Sequence, residues 1–150
     1  IVIKKSFFKE IGRWDQDNFW MYSEDPDLCL KATNKGKKNA ILRNVEIKHM
    51  HGGSSRRNPK TTAITKSEVV TSSHVFIHTH TKGINKFSLH MLIIINTLIS
   101  WLLRTIITLP IFWTTSFKSN ILTLISIIKY YVSVPIRGTW KSKRLKNNES

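Results

Sequence analysis

The acidic residues that could do chemistry lie close together near the start of the chain. Glu24, Asp25 and Asp27 are three of only nine Asp and Glu residues among 150. A carboxylate held on a rigid helix N-terminus can act as a general base, because it can take the proton from a hydroxyl group as that group attacks a carbon atom. The structural alternative is a helix start, where free N–H groups stabilise carboxylates in the first turn. Both alternatives require a helix at this place.

The residues around the acidic cluster are typical of a helix start and end. Asp25 can cap free backbone amides, and Pro26 is tolerated in the first turn of a helix. Leu28 can pack on a core, and Gly36 supplies a stop. The sequence therefore predicts a helix over residues 26–35.

A strand pattern follows this helix. The stretch NAILRNVEIKHMHGGSS alternates apolar and polar residues, which favours a strand with Ile41, Val45 and Ile47 on its buried side. Gly52 and Gly53 then predict a loop.

Composition divides the chain into three regions. Residues 1–55 hold the acidic cluster and the predicted strand. Residues 56–86 are polar and lack a long apolar run, so we predict a connecting segment with one short helix. Residues 87–150 are rich in Ile, Leu, Phe and Trp and end in a basic stretch around Trp140.

The pattern of the third region predicts two amphipathic helices that are separated by Pro110. Asn120 is expected to cap the second helix. The polar residues of the two helices form narrow stripes with spacings of three and four: Thr97, Ser100, Arg104 and Thr108 in the first, and Thr123, Ser126, Tyr130 and Ser133 in the second.

These helices and the basic end together favour a tail that lies at a membrane surface. Cations meet anionic head groups while an apolar helix face enters the acyl boundary. Two alternatives stay open, a pair of core helices in a soluble protein and a hairpin that spans the membrane. The run from Phe87 to Leu103 has 17 residues without Lys, Arg, Asp or Glu, which is marginal against the about 20 apolar residues of a spanning helix.

The charge of the chain is uneven. Residues 1–27 carry a net charge of −2 and residues 28–150 a net charge of +17. Such an excess attracts polyanions, which include nucleic acid, anionic lipid and phosphorylated ligands. We expect no nucleic acid, because no recognition helix is visible and the apolar helices would have no role. The single cysteine, Cys29, excludes an internal disulfide and a zinc site built on several thiolates.

The segment KEIGRWDQDNFWMYSEDPDLCLKATNKGKK, with IKHMHGGSS after it, resembles a known family. It is similar to the carboxyl-terminal half of the catalytic domain of family 2 glycosyltransferases, in particular the rhamnosyltransferase-like enzymes of bacterial polysaccharide and O-antigen assembly. The positions that match the family pattern are Gly12, Trp14, Asp15, Phe19, Met21, Tyr22, Glu24, Asp25, Asp27, Leu28, Cys29, Gly36, His49, Gly52 and Ser54.

The resemblance implies an α/β fold in which residues 1–55 form the acceptor-side part of a GT-A domain, residues 56–86 connect, and residues 87–150 form a membrane-associated helical tail. It also implies an inverting transfer of a sugar from a nucleotide-sugar, such as dTDP-rhamnose, to a lipid-linked saccharide. The cofactor would be Mg²⁺ or Mn²⁺. The place would be the cytoplasmic face of the bacterial inner membrane, with peripheral or interfacial attachment.

The resemblance assigns roles within the acidic cluster. Asp25 is the expected catalytic base, Glu24 is its partner in positioning the acceptor, and Asp27 caps the helix. The residues expected to bind the acceptor are Trp14, Asp15 and Tyr22.

The stretch KHMHGGSSRR carries the roles expected on the donor side. His49 is the expected metal ligand, with His51 as a weaker candidate on the same strand face. Ser54 and Arg56 are expected to contact the donor phosphates, together with backbone amides of the loop.

The chain departs from the family pattern in two respects. Arg13 stands where the family has Gly, and no D-x-D motif follows a strand. The second departure predicts a truncated transferase that is inactive alone. The competing hypothesis is a basic membrane-binding module without catalytic activity.

Overall fold

A computed structural model describes residues 1–46, 48 and 58–145. All regular secondary structure in these residues is helical. The helices are α1 (Lys5–Glu10), α2 (Glu24–Asn34), α3 (Pro59–His80), α4 (Gly83–Ile107) and α5 (Thr115–Arg137), with a short 3-10 turn at Leu109–Ile111 between the last two.

Helices α1 and α2 form a small unit at the start of the chain. Its core consists of Ile11, Leu28 and Ala32, with Phe7 and Phe8 packed against them. The predicted helix over residues 26–35 is confirmed, although α2 begins two residues earlier. It stops at the expected place because Gly36 has a φ of +72°, a left-handed conformation that favours glycine.

The expected α/β fold is wrong. The described residues contain no strand, and the predicted strand after α2 is irregular up to residue 46. Ile41 and Val45, expected on its buried side, are 91 % and 55 % exposed. Alternation alone does not make a strand, because the backbone also needs a neighbouring strand for its hydrogen bonds. Ile47 lies outside the described residues, as do Gly52 and Gly53.

The prediction of one short helix in the polar segment is also wrong, since α3 has 22 residues and packs against both α4 and α5. Asn58 caps it by accepting a hydrogen bond from the Thr61 backbone N–H at 2.9 Å, and Pro59 occupies the first turn. Ser and Thr residues make up much of its buried face. Their hydroxyl groups donate to carbonyls one turn earlier, as Thr71 does to Ser67 at 3.1 Å.

Helices α4 and α5 form an antiparallel hairpin that packs on α3. The two predicted helices and the break at Pro110 are confirmed. Asn120 does not cap α5 as expected, because α5 begins earlier and Thr114 accepts the capping hydrogen bond from Phe117. Asn120 instead donates to the carbonyl of Arg104 at 3.4 Å and so joins the two helices.

The polar stripes of the two helices lie largely inside the bundle, although Arg104, their charged member, is exposed. Thr97 on α4 and Thr123, Tyr130 and Ser133 on α5 are buried inside the three-helix bundle. The large apolar side chains of both helices point outward instead. This apolar face comprises Ile84, Phe87, Leu92, Ile95, Ile99, Leu102, Ile106 on α4 and Ile125, Ile128, Val132, Ile136 on α5.

The end of α5 returns the chain to α3. Gly138 ends the helix with a φ of +62°. The segment after it, residues 139–145, lies back along the bundle, where Ser142 is buried and donates a hydrogen bond to Glu68 on α3 at 3.0 Å.

Candidate functional site

The acidic cluster occupies the first turn of α2 in a strained setting. Tyr22 and Ser23, directly before the helix, both have left-handed φ values, of +68° and +62°. Such values are costly for a bulky side chain and are held only by surrounding contacts. Asp25 is exposed and Glu24 is half-buried. Of the three acids, Asp25 is therefore the most accessible to a solute.

Asp27 does not cap the helix, contrary to the expected role. Its side chain is fully buried and pairs with Lys31 at 2.7 Å, one turn further along α2. Its other oxygen lies 2.8 Å from Nε2 of His80, at the end of α3. A buried carboxylate requires such partners, because burial without them is costly. Asp27 thus joins the N-terminal unit to the three-helix bundle.

The residues expected to bind an acceptor sugar lie in the turn between α1 and α2. The Trp14 ring contacts Phe8 edge to face, with centroids 5.8 Å apart, and remains partly exposed. The Asp15 carboxylate accepts hydrogen bonds from the backbone and side-chain N–H groups of Asn18, at 3.1 and 2.8 Å. Tyr22 is half-buried. Asp15 therefore stabilises the turn, and Trp14 keeps an open ring face.

Arg13, in the turn after α1, has a left-handed backbone conformation. Its φ is +62°, a conformation that glycine adopts without strain. The resembled family has Gly at this position.

The expected metal and donor-phosphate residues cannot be located. His49, His51, Ser54 and Arg56 all lie outside the described residues. Within the described part of the chain, no group of three or more His, Cys, Asp or Glu residues could hold a metal ion.

A pair of histidines lies in the centre of the three-helix bundle. His74 on α3 is fully buried, and its Nδ1 lies 2.7 Å from Nδ1 of His90 on α4. One of these nitrogens donates a proton and the other accepts it. Nε2 of His74 lies 3.0 Å from the Tyr131 hydroxyl on α5. Trp140 stacks over both imidazoles, with centroid distances of 4.5 Å to His74 and 4.2 Å to His90.

This pair is held in the neutral form. Burial, and then the charge that His90 would carry, lower the pKa of His74 to about 3. His78, one turn further along α3, has its pKa lowered by partial burial and by Lys86. The centre of the bundle therefore disfavours the charged, doubly protonated form of either imidazole.

A second buried acid lies further along α3. One oxygen of Glu68 accepts hydrogen bonds from Ser142 and from the guanidinium of Arg144. The other oxygen is buried and has no hydrogen-bond partner among the described residues. Arg144 also lies over the Trp20 ring, 5.6 Å from its centroid. Glu68 therefore joins α3 to the chain end and, through Arg144, to the N-terminal unit.

Helices α4 and α5 are long and apolar enough to cross a membrane, judged by length and composition. Only a small part of their apolar windows is buried within the protein. Basic residues stand near the helix ends: Lys82, Lys86 and Arg104 on one, and Lys118 and Arg137 on the other. Soluble bundles bury the apolar face, so this arrangement is the reverse of the usual one.

The sequence interpretation missed His74, His80, His90 and Glu68, which make the principal buried polar contacts. Glu68, His74 and His80 lie in residues 56–86, which the sequence predicted to be a connecting segment. A signal was present, because Glu68, Thr71, His74 and His78 recur every three or four residues, as on one face of a helix.

Comparison of the chain with protein-family models, with curated proteins and with solved structures gives no match. The resemblance to glycosyltransferases therefore stays a prediction from the motif residues.

The contacts of Asp27 predict a structural role that Asp25 lacks. Asp27→Asn should lower the free energy of unfolding by about 2–4 kcal/mol, because His80 and Lys31 lose a buried counter-ion. Asp25→Asn, at an exposed site in the same turn, should change it by less than about 0.5 kcal/mol. Thermal unfolding in detergent micelles, followed by circular dichroism, measures both. Equal losses of unfolding free energy in the two variants would contradict the structural role assigned to Asp27.

The neutral histidine pair predicts a loss of stability in acid. The folded-state pKa of His74 lies below the ordinary value of 6.5, so only the unfolded chain takes up this proton as the pH falls from 6.5 towards 3. The free energy of unfolding should fall by about 1.4 kcal/mol per pH unit in that window. The measurement is unfolding at several pH values between 7 and 5, where most carboxylates stay ionised. His78→Gln should remove only the smaller contribution of this exposed histidine and keep most of the slope. An NMR titration of His74 near pH 6.5 would contradict the prediction.

Proposed function

We propose that the chain is a membrane-anchoring helical module whose α4–α5 hairpin lies in the interface of an anionic membrane. The observation that carries the proposal is the outward apolar face of α4 and α5. Exposed apolar patches of this extent mark sites of association, because soluble monomers rarely leave them in water. Many polar side chains of the same helices already have partners, because Thr105 and Thr123 donate to carbonyls of their own helices and Tyr131 pairs with His74 on α3. The hairpin therefore offers its surroundings mainly apolar surface.

Charge supports a membrane as the partner of this face. The chain has a net charge of +15, and anionic leaflets attract such chains. Trp101 and Trp113 have the amphipathic rings that favour the interfacial region. Lys66 and Arg104 lie over the Trp101 ring, 5.0 and 5.5 Å from its centroid, at the end of the hairpin where cations would meet head groups.

The position of Lys129 favours an interfacial hairpin over a spanning one. This residue is exposed and lies near the middle of α5. A charge at the bilayer centre is costly, whereas a lysine at the interface can direct its amine to water while its stem stays on apolar surface. In the interfacial arrangement, α3 and the N-terminal unit remain on the aqueous side. The cytoplasmic face of a bacterial inner membrane is the proposed location.

A second candidate function is sugar transfer, which the exposed Asp25 favours. It stands beside two strained residues at a helix start, while Asp27 is fully engaged in structural contacts. In this proposal Asp25 takes the proton from an acceptor hydroxyl and Glu24 positions the acceptor, with Trp14 as a stacking surface. The donor would be a nucleotide-sugar with Mg²⁺ or Mn²⁺, and the acceptor a lipid-linked saccharide. The proposal concerns the acidic cluster and does not depend on an α/β fold.

The membrane proposal predicts flotation of the chain with vesicles that contain anionic lipid. High salt should release only part of the protein, because screening weakens the charge contacts and leaves the apolar contacts intact. Alkaline carbonate should extract the rest. Replacing Ile95 and Leu102 by Gln should weaken binding at high salt, whereas Val69→Gln, at a side chain of α3 that is 46 % exposed, should not.

Complete release by salt would mean a contact of charges alone. Resistance to carbonate would mean a spanning hairpin. Either result would contradict the interfacial arrangement.

The second proposal predicts that Asp25→Asn lowers the rate of sugar transfer at least about a hundredfold, because a general base acts mainly in the transition state. Binding of the nucleotide-sugar should change little. Transfer of labelled sugar to lipid measures this rate, in membranes where the chain is reconstituted together with a nucleotide-sugar-binding transferase half. Glu24→Gln should cost less, and Glu10→Gln, outside the cluster, should have no effect. A normal rate in Asp25→Asn would remove this residue from the role.

A further inference from the structure

A polar cavity of about 280 Å³ lies between α3, α5 and residues 139–145. Its floor is built from buried polar groups, which are Glu68 and Thr71 on α3, Tyr130 on α5 and Ser142 in the chain end. Its rim carries three cations, Lys129, Lys143 and Arg144. Apart from Lys129, neither the membrane contact nor sugar transfer uses these groups.

The charges of the cavity favour an anion. Three cations face one carboxylate, and Arg144 already pairs with that carboxylate. Lys129 and Lys143 form no ion pair with an acidic side chain among the described residues. Two ammonium groups side by side suit a phosphate, because its oxygens accept charge-assisted hydrogen bonds from both of them.

The free oxygen of Glu68 adds a second requirement. This oxygen is buried and unpartnered among the described residues, and such an atom is costly unless a donor reaches it. A ligand that fits must therefore carry a hydrogen-bond donor next to its phosphate. A neutral hydroxyl donor suits the site better than an ammonium group, because the cations of the rim already outnumber the carboxylate.

The place of the cavity favours a lipid as the carrier of that phosphate. Lys129 follows Ile128 directly and lies one helical turn from Ile125 and from Val132, which belong to the apolar face. The rim of the cavity therefore borders the surface that would enter the membrane. Head-group phosphates lie at this level when an apolar helix face is buried in the acyl boundary.

We propose that this cavity binds a glycerol phosphate group, as presented by the head group of phosphatidylglycerol. Lys129 and Lys143 hold the phosphate, and the unpaired oxygen of Glu68 accepts a hydrogen bond from a glycerol hydroxyl. The lipid source rests on the proposed membrane contact, whereas the cavity itself would take soluble glycerol phosphate as well.

The test compares two kinds of vesicle with equal surface charge, one containing phosphatidylglycerol and the other the same fraction of phosphatidylserine. The full chain should bind the first at least about threefold more tightly, because only its head group lacks an ammonium group. The double variant Lys129→Gln, Lys143→Gln should reduce this ratio to about one. The matched double variant Lys118→Gln, Lys141→Gln removes two cations outside the cavity, so it should weaken binding to both vesicles and keep the ratio.

A second measurement separates this inference from the membrane proposal. Glycerol 3-phosphate is titrated into the chain in uncharged detergent micelles, with and without the Lys129 and Lys143 substitutions. The chain could bind both kinds of vesicle equally and fail to bind glycerol 3-phosphate. This result would overturn the proposed binding site in the cavity but would leave the proposed membrane contact intact. Binding of glycerol 3-phosphate that depends on both lysines, without vesicle binding, would support the cavity and overturn the membrane contact. An equal loss of preference in both double variants would also overturn the assignment.

Discussion

The constraint on which the rest of the structure depends is the burial of polar side chains inside a three-helix bundle. Helix α3 brings hydroxyl groups, an imidazole and a carboxylate into the interior, and each of these needs a hydrogen-bond partner there. The hydroxyls donate to the carbonyls of their own helix, which Thr71 and Thr65 do. Because these bonds are local, the interior can be polar without a large network between helices. The apolar residues of α4 and α5 are then left for the outer surface.

Several of the longer-range polar contacts that join the parts of the molecule have one partner on α3. His80 reaches Asp27 in α2, Ser72 donates to the carbonyl of Met21, and Glu68 is bonded by Ser142 and Arg144. The apolar core of the N-terminal unit is small. Its position relative to the bundle therefore rests on directional contacts, which fix geometry better than apolar packing does.

The helices that could be predicted from the sequence are those marked by local features. Helices α2, α4 and α5 could be predicted, because capping residues, glycine stops and apolar periodicity are local features. Helix α3 could not, since its buried face is made of Ser, Thr and His, and a polar segment is ordinarily interpreted as exposed. The alternation near Ile41 and Val45 was misleading because it lacks a neighbouring strand. At the candidate site, the helix start at Asp25 could be predicted from Pro26 and the acidic residues, and the structure shows Asp25 exposed in the first turn of α2. The role of Asp27 depended on His80, a partner 53 positions away that no local pattern reveals.

The return of residues 139–145 onto α3 has a consequence for the order of events during synthesis. Glu68 gains its partners Ser142 and Arg144 late, because these residues follow it by 74 and 76 positions and are synthesised last of the three. Until then the nascent helices hold a carboxylate with no counter-ion, and Trp140 has not yet covered the imidazole pair. Contacts of such long sequence separation form late, since closing the intervening loop costs entropy. The three-helix bundle should therefore stay loosely packed until residues 139–145 have been synthesised and have returned onto α3.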